Sequence, residues 1–146
     1  MFVAEQKWEN LTVEIRGSTL WVTINRPEKR NALSRQTLSE IEKIFAGIGA
    51  DSGSKIVVLT GAGDRSFAAG GDLSDLAAVR TLDEARTMAV DAKRALEAVR
   101  RCPLPVVALL NGDALGGGAE LAAACDFRVA TADARIGFIQ GRLNIS

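Results

Sequence analysis

The chain has 146 residues, enough for one domain, and its 47% apolar and 25% charged residues can bury a core. Eighteen basic residues balance eighteen acidic ones, so no overall charge attracts nucleic acid or an anionic membrane. Histidine and tyrosine are absent, which excludes Ser-His and Cys-His nucleophilic catalysis and most zinc sites, and we predict no metal site.

The first element predicted along the chain is a β-hairpin. Leu11–Arg16 alternates apolar and polar residues, as a half-buried strand does, and Thr19–Ile24 is a second strand. Gly17 and Ser18 form the turn between them. The N-terminal segment before the hairpin carries Glu5 and no long apolar run. We therefore expect no signal peptide, no membrane span and a cytoplasmic protein.

A helix capped by Ser34 follows, because its apolar residues recur with helical spacing. Glycines from Gly47 onward end it. Segment 56–60 is a continuous apolar run between chain breakers, which is typical of a strand buried on both faces. The apolar stripe of the helix consists of Leu38, Ile41, Phe45 and Ile48.

The second helix begins at a capping box formed by Thr81 and Glu84, and prolines after residue 102 end it. Val106–Leu110 is predicted as another buried strand, 116–125 as a buried helix and Phe127–Ala130 as a further strand. This alternation of strands and helices predicts an α/β layered fold with mostly parallel pairing. The stripe on the second helix consists of Leu82, Ala85, Ala89, Ala92, Leu96 and Val99.

Two glycine-rich segments, 67–73 and 111–120, each follow a predicted strand and open a predicted helix. Three consecutive glycines cost conformational entropy, about 0.5–1 kcal/mol each relative to alanine. Close approach of a ligand to bare backbone explains that cost, and close helix–strand packing is the alternative. Segment 61–63 is no dinucleotide site, because Ser66 stands where the third glycine of that motif belongs.

Cys102 and Cys125 have no motif spacing. A disulfide and a pair of small apolar core thiols are both compatible with the sequence, and the second interpretation is favoured.

Three motifs, in this order and spacing, resemble those of the crotonase family, also called the enoyl-CoA hydratase/isomerase superfamily. The resemblance runs from about residue 11 to the C-terminus. The motifs are Ile24-Asn25-Arg26-Pro27 with Asn31-Ala32-Leu33, then Phe67-Ala68-Ala69-Gly70-Gly71-Asp72-Leu73, then Pro105-Val106-Val107-Ala108 with Asn111-Gly112, Gly116-Gly117-Gly118-Ala119-Glu120 and Cys125-Asp126.

The resemblance implies a crotonase-like α/β fold, in which ββα repeats form a spiral of mostly parallel strands with flanking helices. Family members bind acyl-CoA thioesters as substrates, use no other cofactor, and assemble as homotrimers or dimers of trimers. They are also longer, with a C-terminal helical region that closes the acyl pocket. Residues 1–146 are then a crotonase-like core domain truncated at its C-terminus, which we expect to be inactive alone.

The resemblance also implies roles for single residues. The backbone N–H groups of Gly71 and Gly117 correspond to the pair that holds the thioester oxygen and stabilises an enolate. Glu120 corresponds to an acid–base glutamate of family hydratases, and a structural ion pair is its alternative role. The position of a second catalytic glutamate falls on Gln140, whose amide can position water but cannot exchange a proton at neutral pH.

Coenzyme A binding is implied for the backbone of Ala68 and Ala69, near the adenine. Lys29 and Arg30 stand where family members often place a phosphate-pairing cation, and solvated loop charges are the alternative. The same motifs add Ala32, Gly70, Asp72 and Leu73 as binding candidates. We expect an enoyl-CoA hydratase/isomerase. A decarboxylase of malonyl-type CoA esters and a non-catalytic binding or assembly protein are the alternatives.

Overall fold

The predicted hairpin opens the fold. The structure is a computed structural model that describes residues 2–139. Strands β1 (Leu11–Arg16) and β2 (Thr19–Ile24) pair antiparallel, from Leu11 opposite Ile24 to Arg16 opposite Thr19. Gly17 lies in the turn with a φ of +60°, a conformation that glycine adopts without steric cost.

Three strands extend the hairpin into a five-stranded sheet. They are β3 (Ile56–Gly61), β5 (Val106–Leu110) and β7 (Phe127–Ala130), and the order is β1-β2-β3-β5-β7. All pairs after the hairpin are parallel. This confirms the predicted α/β class with mostly parallel pairing.

A second, smaller sheet runs alongside, with three parallel strands in the order β4-β6-β8. These are β4 (Ser66–Ala68), β6 (Asp113–Leu115) and β8 (Ile136–Gly137), and each follows one long strand of the large sheet. The chain therefore repeats a unit of one long strand, one short strand and, in the first two units, helix. Periodicity cannot reveal strands of two or three residues, so all three were missed in the sequence.

Among residues 2–139, four α-helices flank the sheets: α1 (Arg35–Ala46), α2 (Leu73–Ala78), α3 (Leu82–Arg100) and α4 (Gly117–Ala124). The predicted caps are confirmed. Ser34 accepts a hydrogen bond from the Thr37 N–H, and Thr81 forms the capping box with Glu84. Capping side chains satisfy the N–H groups that a helix start leaves unpaired.

One face of the large sheet is buried and the other is not. On β3, for example, Val57 and Leu59 are fully buried, whereas Ile56 and Val58 are half-buried. All four residues of β7 are exposed. The prediction of strands buried on both faces is therefore wrong for the described chain, because residues on one side of β3 and β5 are only half-buried.

The predicted stripe on α3 is also only half correct. Its C-terminal half is packed, with Ala95 and Val99 buried, but Leu82 at its start is 67% exposed. Ala85 and Ala89 are exposed too. No helix in this range is long and apolar enough to cross a membrane.

Both cysteines are free, which excludes the disulfide and confirms the thiol interpretation. Cys125 is buried at the C-terminal end of α4, and burial raises the pKa of its thiol to about 12. Cys102 is half-buried, and desolvation likewise raises its thiol pKa.

The glycines of α4 give a matched test of packing. A Cβ on Gly118 would overlap the carbonyl oxygen of Ala68 in β4, whereas a Cβ on Gly117 would have its nearest contact at 3.6 Å, the Cδ1 of Leu33. We expect Gly118→Ala to lower the free energy of unfolding by at least about 2 kcal/mol. We expect Gly117→Ala to change it by less than about 1 kcal/mol.

Urea denaturation of the protein expressed from its complete gene measures both changes. Equal stability of the two variants would contradict the close contact between α4 and β4.

Candidate active site

A single backbone bridge joins the first motif to the second. Leu33 and Gly71 pair as an isolated parallel bridge. The Leu33 N–H donates to the Gly70 carbonyl at 2.7 Å, and the Asp72 N–H donates to the Leu33 carbonyl at 3.3 Å. Gly70 has a φ of +103°, which only glycine adopts readily. The bridge fixes the path of the chain on both sides of Gly71.

The third motif brings a second glycine to the same place. A Cβ on Gly117 would lie 4.0 Å from the Gly71 nitrogen and 4.0 Å from the Gly70 Cα. Gly117 is the first residue of α4, so its N–H has no acceptor within the helix. The Gly71 N–H takes no part in the bridge. Neither N–H has an acceptor among the described residues, so both are available to an oxygen atom of a ligand.

The three consecutive glycines lie in three different environments. Gly116 has a φ of +56° and a ψ of −119°, outside the regions that other residues favour. Gly118 permits close packing, as its contact with Ala68 shows. Gly117 has room for a side chain. Helix–strand packing, the alternative stated above, thus accounts for Gly118 but not for Gly117.

Glu120 lies one helical turn beyond Gly117 on α4 and is half-buried. Its N–H donates to the Gly116 carbonyl at 3.1 Å, in the first turn of the helix. A carboxylate at this position lies one turn beyond the Gly117 N–H on the same helix. Gln140, the other acid–base candidate, lies outside the described residues.

The candidates for coenzyme A binding come from the two chain segments that meet at the Leu33–Gly71 bridge. Lys29 and Arg30 are exposed, and the Arg30 carbonyl accepts the Ala69 N–H at 3.1 Å. Ala68 is buried in β4, where it pairs with Ala114 of β6. The backbone of Arg30 thus lies beside Ala69, and the roles of Lys29 and Arg30 in binding stay predictions.

Leu73 is 80% exposed on α2, a helix with no buried residue. Ala32 is half-buried. Its carbonyl accepts a hydrogen bond from the Arg26 Nη1 at 2.6 Å. This oxygen is therefore engaged within the protein, and the same holds for the carbonyl of Gly70 in the Leu33 bridge.

Asp72 has both carboxylate oxygens engaged. Its Oδ1 accepts the Asp75 N–H at 3.1 Å and caps α2, while its Oδ2 pairs with Arg26 Nη2 at 3.1 Å. The Asp75 hydrogen bond, followed by the pairing with Arg26, holds the pKa of Asp72 below its ordinary value. The side chains of Arg26 and Asp72 are only 14% and 12% exposed.

Two asparagines hold the loop that precedes β4. Asn31 Nδ2 and Asn111 Nδ2 both donate to the Ser66 carbonyl, at 2.7 and 3.1 Å. Asn111 Oδ1 also accepts the Gly61 N–H at 3.0 Å. The loop leads into strand β4 rather than a helix, so the dinucleotide-binding context is absent, as the sequence predicts.

Sequence reasoning assigned no role to Arg26, Leu33, Asn31 or Asn111. All four stand in the motifs that carry the family resemblance, but a motif does not show which distant backbone group each side chain meets. The residue type of Asn31 offered one signal, because asparagine tolerates the αL conformation better than most residues. In the structure Asn31 has a φ of +54°.

Two surface grooves lie away from the glycines. One, of about 430 Å³, runs between α1 and α3, and the other, of about 220 Å³, lies between α2 and α3. Both are bordered by Arg35; the first is lined by polar and charged side chains, and the second also by Ala78, Val79 and Met88. No cluster of potential metal ligands forms within residues 2–139.

Comparison with known proteins identifies the family. Residues 14–145 match the family model described as enoyl-CoA hydratase/isomerase. The chain belongs to this family. The chain is 41% identical over 128 residues to the short-chain-enoyl-CoA hydratase of Clostridium acetobutylicum, covering 88% of the chain and 49% of that protein. It is 35% identical to the mitochondrial Δ(3,5)-Δ(2,4)-dienoyl-CoA isomerase of Mus musculus, covering 90% of the chain and 43% of that protein.

Solved structures of the family share the fold. An enoyl-CoA hydratase from Bacillus anthracis aligns with a TM-score of 0.89 at 36% identity, covering 94% of the chain and 53% of that structure. This confirms the crotonase-like fold for the described part. The chain spans about half the length of the curated relatives it matches.

The ion pair of Asp72 predicts how stability depends on pH. Because the folded protein lowers this pKa, the stabilising contribution is complete well above pH 4 and is lost as the carboxylate protonates below about pH 4. Asp72→Asn keeps a capping side chain but removes the charge. We expect it to lower the free energy of unfolding at pH 7 by about 1–3 kcal/mol.

Denaturant titrations of the variant and the parent protein at several pH values measure this difference. It should shrink as the pH falls below about 4. A difference that is constant across the range would exclude the charge of Asp72 as its cause.

Proposed function

We propose that the protein is an acyl-CoA-processing enzyme of the hydratase/isomerase type, in which the N–H groups of Gly71 and Gly117 donate to one thioester oxygen. The observation that carries this proposal is their position. Two N–H groups with no acceptor among residues 2–139 come from separate motifs, and the two glycine backbones are so close that a Cβ built on Gly117 would lie 4.0 Å from the Gly71 nitrogen. Family membership supplies the chemical class of the ligand.

The chemistry follows from where charge develops. When water adds to carbon 3 of an enoyl thioester, the π electrons move toward the thioester oxygen and form an enolate. Two N–H donors held in place by the protein stabilise that negative charge without having to reorganise. Because the donors are backbone N–H groups, no polar side chain is needed at either position.

Glu120 is the proposed acid–base group. It accepts a proton from the attacking water or from the substrate carbon and returns it to the enolate. Its place on α4, one turn beyond Gly117, joins it to the same rigid element as one oxyanion donor. The helix thereby sets the separation between the group that holds the charge and the group that moves the proton.

Binding of the coenzyme A phosphates is proposed for Lys29 and Arg30. Their exposure and the contact of Arg30 with Ala69 support this role. The absence of another cofactor, the trimeric assembly, the cytoplasmic location and a single core domain over residues 1–146 stay predictions.

Substitution of Glu120 tests the reaction. With the protein expressed from its complete gene, we expect crotonyl-CoA to be hydrated, followed as loss of the conjugated enoyl absorbance. Glu120→Gln should lower kcat by about 10²- to 10⁴-fold and leave acyl-CoA binding largely intact, because only the proton transfer is lost. The control is Glu42→Gln on α1, in the groove away from the glycines.

Two outcomes would overturn this assignment. If crotonyl-CoA is not turned over and methylmalonyl-CoA releases carbon dioxide, the protein is a decarboxylase on the same fold. If Glu120→Gln leaves every measurable activity unchanged, the non-catalytic alternative gains support.

Gly117 allows one donor to be removed by itself. Proline is well accepted at the first position of a helix, so Gly117→Pro deletes the N–H while α4 persists. We expect a loss of about 10²- to 10³-fold in kcat, the usual effect of removing one oxyanion donor. Gly117→Ala keeps the N–H and serves as the control, and a folded proline variant with full activity would show that Gly117 is not a donor.

A further inference from the structure

Arg26 bridges the two chain segments that meet at the Leu33–Gly71 bridge. Its Nη1 donates to the Ala32 carbonyl at 2.6 Å, and its Nη2 donates to the Asp72 carboxylate at 3.1 Å. Ala32 directly precedes Leu33, and Asp72 directly follows Gly71. One guanidinium thus holds one residue beside each member of the bridge.

The environment of this ion pair makes it strong. Each other ion pair among residues 2–139 has at least one side chain more than half exposed, whereas Arg26 and Asp72 are 14% and 12% exposed. Exclusion of water strengthens a charge-assisted hydrogen bond. Lysine cannot replace this arrangement, because its single ammonium lacks the planar fork of arginine.

The backbone of Arg26 is itself anchored by Asn31. Its backbone N–H donates to Asn31 Oδ1 at 2.9 Å, and Asn31 is fully buried with its Nδ2 on the Ala62 and Ser66 carbonyls. The guanidinium therefore extends from an anchored backbone. Gly70 and Gly71, by contrast, are flexible residues whose direction depends on what clamps them.

We infer that Arg26 is a positioning residue, which fixes the direction of the Gly71 N–H by binding Ala32 and Asp72 on the two sides of the bridge. This inference rests on the proposed function of Gly71. Arg26 does not itself touch the thioester. Without it, the bridge opens more often, and the N–H no longer stays aimed at the oxygen as charge develops.

The test compares three variants in the protein expressed from its complete gene. Arg26→Met removes the guanidinium but keeps an apolar stem, Arg26→Lys keeps the charge, and Arg101→Met removes an exposed arginine paired with Glu97 on α3. We expect Arg26→Met to lower kcat for crotonyl-CoA by about 10- to 100-fold, since displacement of a reacting geometry by about 1 Å has such effects. KM should change less than about threefold, because the CoA contacts remain.

Arg26→Lys should lower log kcat by more than half as much as Arg26→Met does. Arg101→Met should match the parent protein. If Arg26→Met leaves kcat unchanged, or if Arg26→Lys has the kcat of the parent protein, the inference that the guanidinium of Arg26 positions Gly71 is wrong.

Amide hydrogen exchange separates this inference from the proposed function. Arg26→Met should speed exchange of the Leu33 and Asp72 amides at least about tenfold, and the Arg101 control should not. Unchanged exchange overturns the positioning role, whether or not the protein is active. If the parent protein turns over no enoyl-CoA, the proposed function fails and the catalytic consequence of Arg26 with it, while faster exchange still supports the clamp.

Discussion

Two hydrogen bonds at Leu33, one to the Gly70 carbonyl and one from the Asp72 N–H, are the constraint on which the candidate site depends. They join a segment after β2 to a segment after β4, which lie almost forty residues apart in the sequence. Other contacts of the site keep the two segments of this junction in place. Asn31 and Asn111 hold the loop before β4, and Gly118 lets α4 approach β4 closely enough to bring Gly117 to Gly71.

Much of the fold was predictable because it depends on local chemistry. The hairpin, α1 with its Ser34 cap and α3 with its Thr81 capping box follow from patterns of a few adjacent residues. The small sheet was not predictable in this way, because β4 is only three residues long and its partner strand β6 lies far from it in the sequence. The prediction that the N-terminal half of α3 is buried was also wrong, because an apolar stripe shows which face of a helix can be buried but not what covers that face.

The candidate site was predictable to a different extent. The glycine motifs indicated where bare backbone is required, but sequence could not distinguish Gly117 from Gly118. The distinction lies in the space that an added Cβ would find, since one on Gly118 would overlap β4 and one on Gly117 would not, and only the folded chain shows this. Asp72 shows the same limit, because its position in a binding motif gave no sign that Arg26 and Asp75 already engage both of its oxygens.

Helix α2 has a consequence for how such a site can diversify. It begins immediately after the clamped residues, and Asp75 ties it to the start of α1 through the Arg35 N–H, yet none of its residues is buried. Substitutions along α2 therefore carry little penalty in folding free energy. The α2 side chains other than Asp75 can therefore change while the clamped backbone at Gly71, only a few residues away, stays in place.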